Sequence, residues 1–255
     1  MRRPHAEGEI PAWLVGRRFT AARRRGKSLW LETDDGPSLG LHLGMAGSIV
    51  VDEPPSARGW DRFSVTFSDG GRLALRDRRR LGRARLDPDR TRLGPDAATV
   101  GREAFRRAVG RGRAPVKARI MDQGTIAGVG NLLADEALWQ ARISPLRPAG
   151  SLTEGELDVL RRAIRAAIRR AIAGGGAHAG VIVPYRRLGA SCPRCGAPME
   201  RETVGGRTTF WCSVEQAYEP DGSSTVGPEI SRRPAGRRSR SSSPSRARRG
   251  STSRS

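Results

Sequence analysis

Lysine is almost missing from this chain of 255 residues. Of its 47 basic residues only Lys27 and Lys117 are lysines, and the rest are arginine. That bias suits a GC-rich genome, so positive charge here has a bland explanation as well as a functional one. Arginine stays protonated in proteins, whereas a lysine amine can lose its proton and act as a nucleophile or proton shuttle. The two lysines are therefore candidates for chemistry. Cysteine is also scarce: three residues, all between Cys192 and Cys212. A disulfide framework is excluded, and in an intracellular protein such a cluster favours metal. No apolar run reaches the roughly 20 residues of a membrane helix. The opening "MRRPHAEGEI" has no secretory pattern. The expectation is a soluble cytoplasmic protein with no membrane partner.

Acids are short as well, 26 against 47 basic residues, for a net charge of +21. Residues 221–255 hold nine arginines and two acids, a net +7, in a Ser/Arg-rich stretch with almost nothing to form a core. A disordered tail over 219–255 that binds polyanions is expected. Residues 1–220 keep +14. A basic folded body points to nucleic acid.

The hydrophobic pattern changes once along the chain. "RRFTAARRRGKSLWLETDDG", "SLGLHLGMAGSIVVD" and "WDRFSVTFSDGGRLALRDRRR" read as short strands with tight Gly and Asp-Gly turns. Four or five such strands make an antiparallel sandwich or barrel. "ARLDPDRTRLGPDAAT" is a Pro-punctuated linker. Past Val100 the period becomes helical, with Pro115 at one helix start and Asn131 as an expected N-cap. In "LTEGELDVLRRAIRAAIRRAIAGGG", Thr153 and Glu156 form a capping box, and Leu157, Leu160, Ile164, Ile168 and Ile172 share one face. Strands followed by helices make an α+β chain. The domains expected are a β domain over 1–88, a helical domain over 100–180, a cysteine hairpin over 181–218, and the tail.

Two motifs carry chemistry. "DQGTIAGVGNLLADEAL" is a helix, a Gly-rich turn and a helix. Backbone N–H groups of such a turn, with the next helix N-terminus, can hold an anion such as a nucleic-acid phosphate. An ordinary helical hairpin reads the same way. The second motif is "CPRCGAPMERETVGGRTTFWCSVEQ". Cys192, Cys195 and Cys212 fall on zinc-ribbon spacing, and Glu215 stands where a fourth cysteine would. Zinc held by three cysteines with Glu215 or water, and a metal-free hairpin packed on Val204, Phe210 and Trp211, are both open readings.

These pieces together resemble the formamidopyrimidine-DNA glycosylase and endonuclease VIII family, bacterial enzymes that remove oxidised bases. "RRRGKSL" resembles the family's lysine-bearing β-turn. "HLGMAG" resembles its strand with the intercalating methionine. "DRRRLG" resembles its D-P-R-R-F-G loop. "MDQGTIAGVGNLLADEAL" resembles its helix–two-turn–helix signature, and "GGRTTFWC" its zinc hairpin. The resemblance covers the chain from its first residues to about Gln216. It implies an N-terminal β-sandwich, a helix–two-turn–helix domain and a C-terminal zinc-ribbon hairpin, acting as a monomer on double-stranded DNA that holds an oxidised base or an abasic site. It implies that Lys27 contacts the lesion's phosphate and assists β-elimination. Asn131, Lys117 and Arg207 would hold backbone phosphates, and His42 and Arg80 would also face DNA. Met45 and Arg79 would fill the space left by a flipped-out base. Glu136 matches a glutamate near the active site, and one zinc ion would sit on Cys192, Cys195, Cys212 and Glu215.

The departures are specific. The family's nucleophile is an N-terminal proline amine followed by glutamate, and this sequence has no such start. "MRRPHAEGEI" resembles a family segment further in, often V-x-R-P. Leu81 stands for the loop's phenylalanine, Arg78 for its proline, and Glu215 for the fourth cysteine, while Gln216 is kept. Two expectations follow. Either the start of the gene is misassigned and the protein is a DNA glycosylase and abasic-site lyase of base excision repair, or the chain is an impaired paralogue that binds DNA or lesions without excising bases.

Overall fold

The computed structural model describes residues 9–218. The opening segment and the Arg/Ser-rich stretch read above as a tail lie outside the described residues. Helix α1 (Glu9–Leu14) precedes seven strands: β1 (Phe19–Arg25), β2 (Ser28–Thr33), β3 (Leu39–His42), β4 (Ser48–Val51), β5 (Asp61–Thr66), β6 (Arg72–Arg76) and β7 (Arg83–Leu86). They form two antiparallel sheets, ordered β1-β2-β3-β7 and β4-β6-β5. The sequence pattern suggested four or five strands. The difference lies in β4, which shares one quoted apolar run with β3, and in β7, whose last three residues open the stretch read as a linker. Leu39, Leu41, Ala74, Leu75 and Leu86 fill the core of this part. Arg25 pairs with Ser28, so β1 and β2 are joined by a turn of two residues, Gly26 and Lys27. Gly26 has φ +58°, a conformation that glycine takes without strain.

The helical part holds α2 (Arg102–Val109), α3 (Val116–Met121), α4 (Asn131–Ala141) and α5 (Glu154–Ala173). Its core joins Phe105, Val109, Val116, Ile120, Leu138, Leu157, Leu160 and Ile164. The capping box of α5 is present: the Thr153 side chain accepts from the Glu156 N–H at 3.2 Å, and Glu156 accepts from the Thr153 N–H at 2.8 Å. The apolar stripe of α5 runs shorter than expected. Leu157, Leu160 and Ile164 are buried, but Ile172 is 76% exposed. At 3.6 residues per turn it lies about 80° around the helix from Ile164. Ala167 faces the core instead. Asn131 also departs from expectation. It is the first residue of α4, after Gly130, and makes no capping bond.

The stretch read as a linker carries structure. Asp96 forms a parallel bridge with Ala127 of the Gly-rich turn. The Ala97 N–H donates to the Ala127 carbonyl, and the Ala127 N–H to the Pro95 carbonyl, each at 2.9 Å. The chain then ends its described part in a hairpin, β8 (Met199–Val204) and β9 (Arg207–Cys212), turning at Gly205 and Gly206, both with positive φ. A side chain at Gly205 would come within 2.9 Å of the Ala118 Cβ, so this turn sits directly on α3. A small core of Trp139, Ile182, Cys192, Met199, Phe210 and Cys212 ties the hairpin to α4.

Candidate nucleic-acid interface

Three separate segments bring polar groups together. The tip of the β1–β2 turn presents Lys27, whose Nζ donates to the Val129 carbonyl at 2.8 Å. A Cβ on Gly130 would lie 3.1 Å from that amine, so the lysine tip rests directly on this glycine. The Gly-rich turn is shaped by Gln123, which donates to the Val129 carbonyl at 3.0 Å and accepts from the Gly128 N–H at 3.0 Å. Arg207 comes from the start of β9. It is exposed, and its guanidinium makes a long hydrogen bond, 3.5 Å, to the carbonyl of its neighbour Gly206. Lys27 is an exposed residue, but its amine is partly desolvated against the Val129 carbonyl; that desolvation first, and then the charge of Arg207, hold it below the ordinary lysine pKa of 10.5. Lys27 and Arg207 therefore share one electropositive spot at the N-terminus of α4, where the helix dipole adds to the attraction for an anion. Asn131 stands there too, its amide donating to the Thr208 carbonyl at 3.1 Å while its Oδ1 is buried without a partner.

Lys117 lies elsewhere than a phosphate contact would require. It is 0% exposed, paired with Asp135 at 2.7 Å and donating to Thr209 Oγ1 at 2.7 Å. The other Asp135 oxygen takes Arg186 at 2.8 Å and the Phe210 N–H at 3.2 Å. A buried ammonium needs a buried partner. The neighbouring helix supplies one, so Lys117 acts inward and docks β9, the strand that carries Arg207. Glu136 is not in the Lys27 group either. It is 2% exposed and accepts from the Ile182 N–H at 2.9 Å and from Gln140 at 3.1 Å, pinning the chain after α5.

A second group of side chains protrudes from the β part. His42 ends β3 and accepts from the Gly44 N–H through Nδ1 at 3.0 Å, which leaves Nε2 to carry the proton. Met45 is 76% exposed and Leu81 is 37% exposed. A Cβ on Gly44 would lie 2.7 Å from the Leu81 Cβ, so the two loops are in contact. Arg79 and Arg80 are exposed beside Leu81. Their loop is wound around Asp77, a residue the sequence reading passed over. Its buried carboxylate accepts from the N–H groups of Arg79, Leu81 and Gly82 at 2.6 to 2.9 Å. These bonds, that of Gly82 foremost, keep its pKa low. The aspartate of "DRRRLG" was the signal available.

The cysteine hairpin presents four donors. The sulfurs of Cys192, Cys195 and Cys212 and a carboxylate oxygen of Glu215 lie within 4.8 Å of one another. Tetrahedral zinc with Zn–S near 2.3 Å places its sulfurs about 3.8 Å apart, so this spread fits one ion. Ligand orientation is already set. The Trp139 indole N–H donates to Cys192 Sγ and the Glu215 N–H to Cys212 Sγ, both at 3.3 Å. Gln216 is buried and accepts from the Cys212 N–H at 2.9 Å. Burial resists ionisation of Cys192, but the Trp139 N–H and nearby backbone N–H groups outweigh it and bring the thiol down to about 7. Glu215 is also claimed by Arg194 at 2.7 Å and faces Arg142 at 3.7 Å, and Arg194 lies 3.9 Å from the Trp139 ring centre.

Comparison with known proteins agrees with this geometry. Residues 1–84 match the formamidopyrimidine-DNA glycosylase N-terminal domain, and residues 93–181 match the formamidopyrimidine-DNA glycosylase H2TH domain. The chain is 39% identical over 234 residues to the formamidopyrimidine-DNA glycosylase of Chloroflexus aggregans, covering 82% of this chain and 84% of the relative. It is 36% identical over 239 residues to that of Thermus thermophilus, covering 82% and 86%. Among solved structures it is similar to the MutM (Fpg) protein of Thermus thermophilus, with a TM-score of 0.65, 36% identity and coverage of 80% of this chain and 85% of that one. It is also similar to Lactococcus lactis Fpg in complex with DNA containing an abasic site, with a TM-score of 0.68, 28% identity and coverage of 82% and 86%.

Proposed function

The chain belongs to the formamidopyrimidine-DNA glycosylase family, and on that premise we propose that it is a DNA glycosylase and abasic-site lyase of base excision repair, acting on double-stranded DNA. One observation carries the reading furthest. Lys27, Asn131 and Arg207, from a β-turn, a helix start and a hairpin far apart in sequence, meet at one spot. A phosphate would bring negative charge to a site built of donors and cations. Met45, Leu81 and Arg79 form a mixed apolar and cationic wedge, suited to the gap left when a nucleotide leaves the stack.

The lyase step follows from the amine. Attack of a neutral amine on the C1′ aldehyde of an abasic sugar, with uptake of a proton from solvent and loss of water, gives an iminium ion. That cation acidifies the C2′ proton, and its removal expels the 3′ phosphate by β-elimination. Among the described residues Lys27 is the one lysine that is not fully buried, so its amine is the one placed for this role. The Lys117–Asp135 pair acts at a distance by seating the strand that bears Arg207. Zinc, when bound to Cys192, Cys195, Cys212 and Glu215, supplies structural closure of the hairpin.

Borohydride trapping on a duplex with one abasic site tests this. The chain should form a trapped adduct that is lost in Lys27→Ala. Equal trapping in both proteins places the amine at another residue and removes Lys27 from the chemistry.

A further inference from the structure

In the segment between the β and helical parts, Asp96 has both carboxylate oxygens engaged at the joint. It accepts through Oδ2 from the Gly26 N–H at 2.7 Å and from Arg24 Nη1 at 2.8 Å, and through Oδ1 from the Ala98 N–H at 2.8 Å. Its side chain is only 13% exposed. Its backbone lies against Ala127 in the Gly-rich turn. Opposite, Gly26 touches the same turn so closely that a Cβ on it would fall 2.6 Å from the Gly128 nitrogen. Asp96 thus bonds through its side chain to the turn that carries Lys27, while its neighbours Pro95 and Ala97 bond to Ala127 in the turn that offers the Val129 carbonyl.

We propose that Asp96 is a positioning residue for Lys27: it locks the β1–β2 turn onto the Gly-rich turn, so that the Lys27 amine stands at the start of α4 when DNA arrives. The inference rests on the lyase reading of Lys27 for its catalytic meaning, though not for its geometry. A lysine side chain is long and has many rotamers, and among the described residues the Val129 carbonyl is the hydrogen-bond partner of its amine. Where the amine stands is therefore decided by where the turn stands. The turn in turn is held by the Asp96 carboxylate on the Gly26 N–H and by Arg24 on the Gly26 carbonyl at 2.9 Å. Only a carboxylate suits the place, because three donors converge on it and a carboxylate is acceptor-only. An amide would turn its own N–H toward at least one of them.

The charged group that acts on Lys27 is Arg207 from the hairpin; Asp96, on the far side of Gly26, is paired with Arg24. Losing the Asp96 charge alone would lower the Lys27 pKa, whereas releasing the turn into water would raise it toward 10.5. The two effects have opposite signs, so one titration separates them.

The scarcity of lysine makes that titration simple. With 13C-labelled lysine this chain gives two ε-carbon signals, Lys27 and the fully buried Lys117. In Asp96→Asn the Lys27 midpoint should move upward while the Lys117 signal keeps its shift. Trapping on abasic duplex near pH 7.5 should fall by on the order of tenfold with DNA affinity nearly kept, a loss in the chemical step rather than in binding. Gly26→Ala, which changes no charge, should act in the same direction by pushing the turn off, and it serves alone if Asp96→Asn fails to fold. An unmoved or lowered Lys27 midpoint with trapping kept in the folded variant overturns the proposal. If the wild-type chain traps no DNA but the midpoint still moves upward, the positioning role stands and the lyase reading falls.

Discussion

Lys27 has a pKa depressed by desolvation of its amine and by Arg207, and the sign of the consequence is fixed. A depressed amine pKa means that the neutral form appears at lower pH than in free lysine. Single-turnover trapping should therefore rise with pH and level off below 10.5, the ordinary value. Arg207→Ala removes the second cause and should move the inflection upward. A profile still rising steeply past 10.5 contradicts this. At this scale the sequence was readable where a residue's placement depends on its local motif. Lys27 on its turn, Asn131 after the Gly-rich turn and Arg207 after Gly206 all stand where their motifs implied. Lys117 was not readable, because its environment is decided by Asp135, 18 residues on and one helix away, and by Thr209 on a strand formed much later. Asp77 was overlooked for a related reason. An aspartate at the head of an arginine run reads as one more surface charge until the backbone N–H groups of its own loop are seen to converge on it.

Helix α4 works as a pillar between two kinds of cargo. Its first two turns hold β9 through Asn131 and Asp135, and its last turn meets the zinc hairpin through Trp139. The docking at its start is ionic and buried. Removing one member of an isolated buried pair strands the other, at a cost of about 3 kcal/mol, whereas replacing both with apolar groups costs far less. Lys117→Met should lower urea stability by about 1–3 kcal/mol, since Asp135 keeps Arg186 and the Phe210 N–H, and the Lys117→Met, Asp135→Leu double variant, which also strands those two donors, should lose more. A shift in midpoint too small to measure in the single variant contradicts the docking role. At the other end, Glu215 is a harder ligand than thiolate and is shared with Arg194. Glu215→Cys should tighten zinc in competition with a chelator. Equal affinity in the two proteins argues that the fourth position is not occupied by residue 215. The capping box of α5 was legible because it lies within four residues. The end of its apolar stripe was not, because Ile172 follows the period of the residues before it only loosely and nothing in sequence shows where the core stops.

For the whole molecule, alternation and period separated a β part from a helical part, and the motif order identified the family. The joint between them was not legible. Residues 84–99, punctuated by Pro88 and Pro95, read as a linker, yet Pro95 and Ala97 bond to Ala127 and so connect the two halves. Long-range backbone pairing of this kind leaves no local pattern. The reading of the chain as an impaired paralogue is not favoured, since the relatives that match 80% or more of the chain at 35–39% identity carry the glycosylase name. Arg207 is exposed on a body of net charge +14, so Arg207→Ala should lower the slope of log affinity against log salt by about 0.9, one phosphate contact.

The most direct measurement is the affinity of the full-length chain for a duplex with one stable abasic-site analogue, set against the same duplex undamaged, at fixed salt. General attraction to DNA enters both terms and cancels in their ratio. If Lys27, Asn131 and Arg207 form a lesion site, the damaged duplex binds more tightly, and Arg207→Ala and Asn131→Ala each bring the ratio toward one. Equal binding of the two duplexes, or a preference that both variants retain in full, contradicts the assignment of that site.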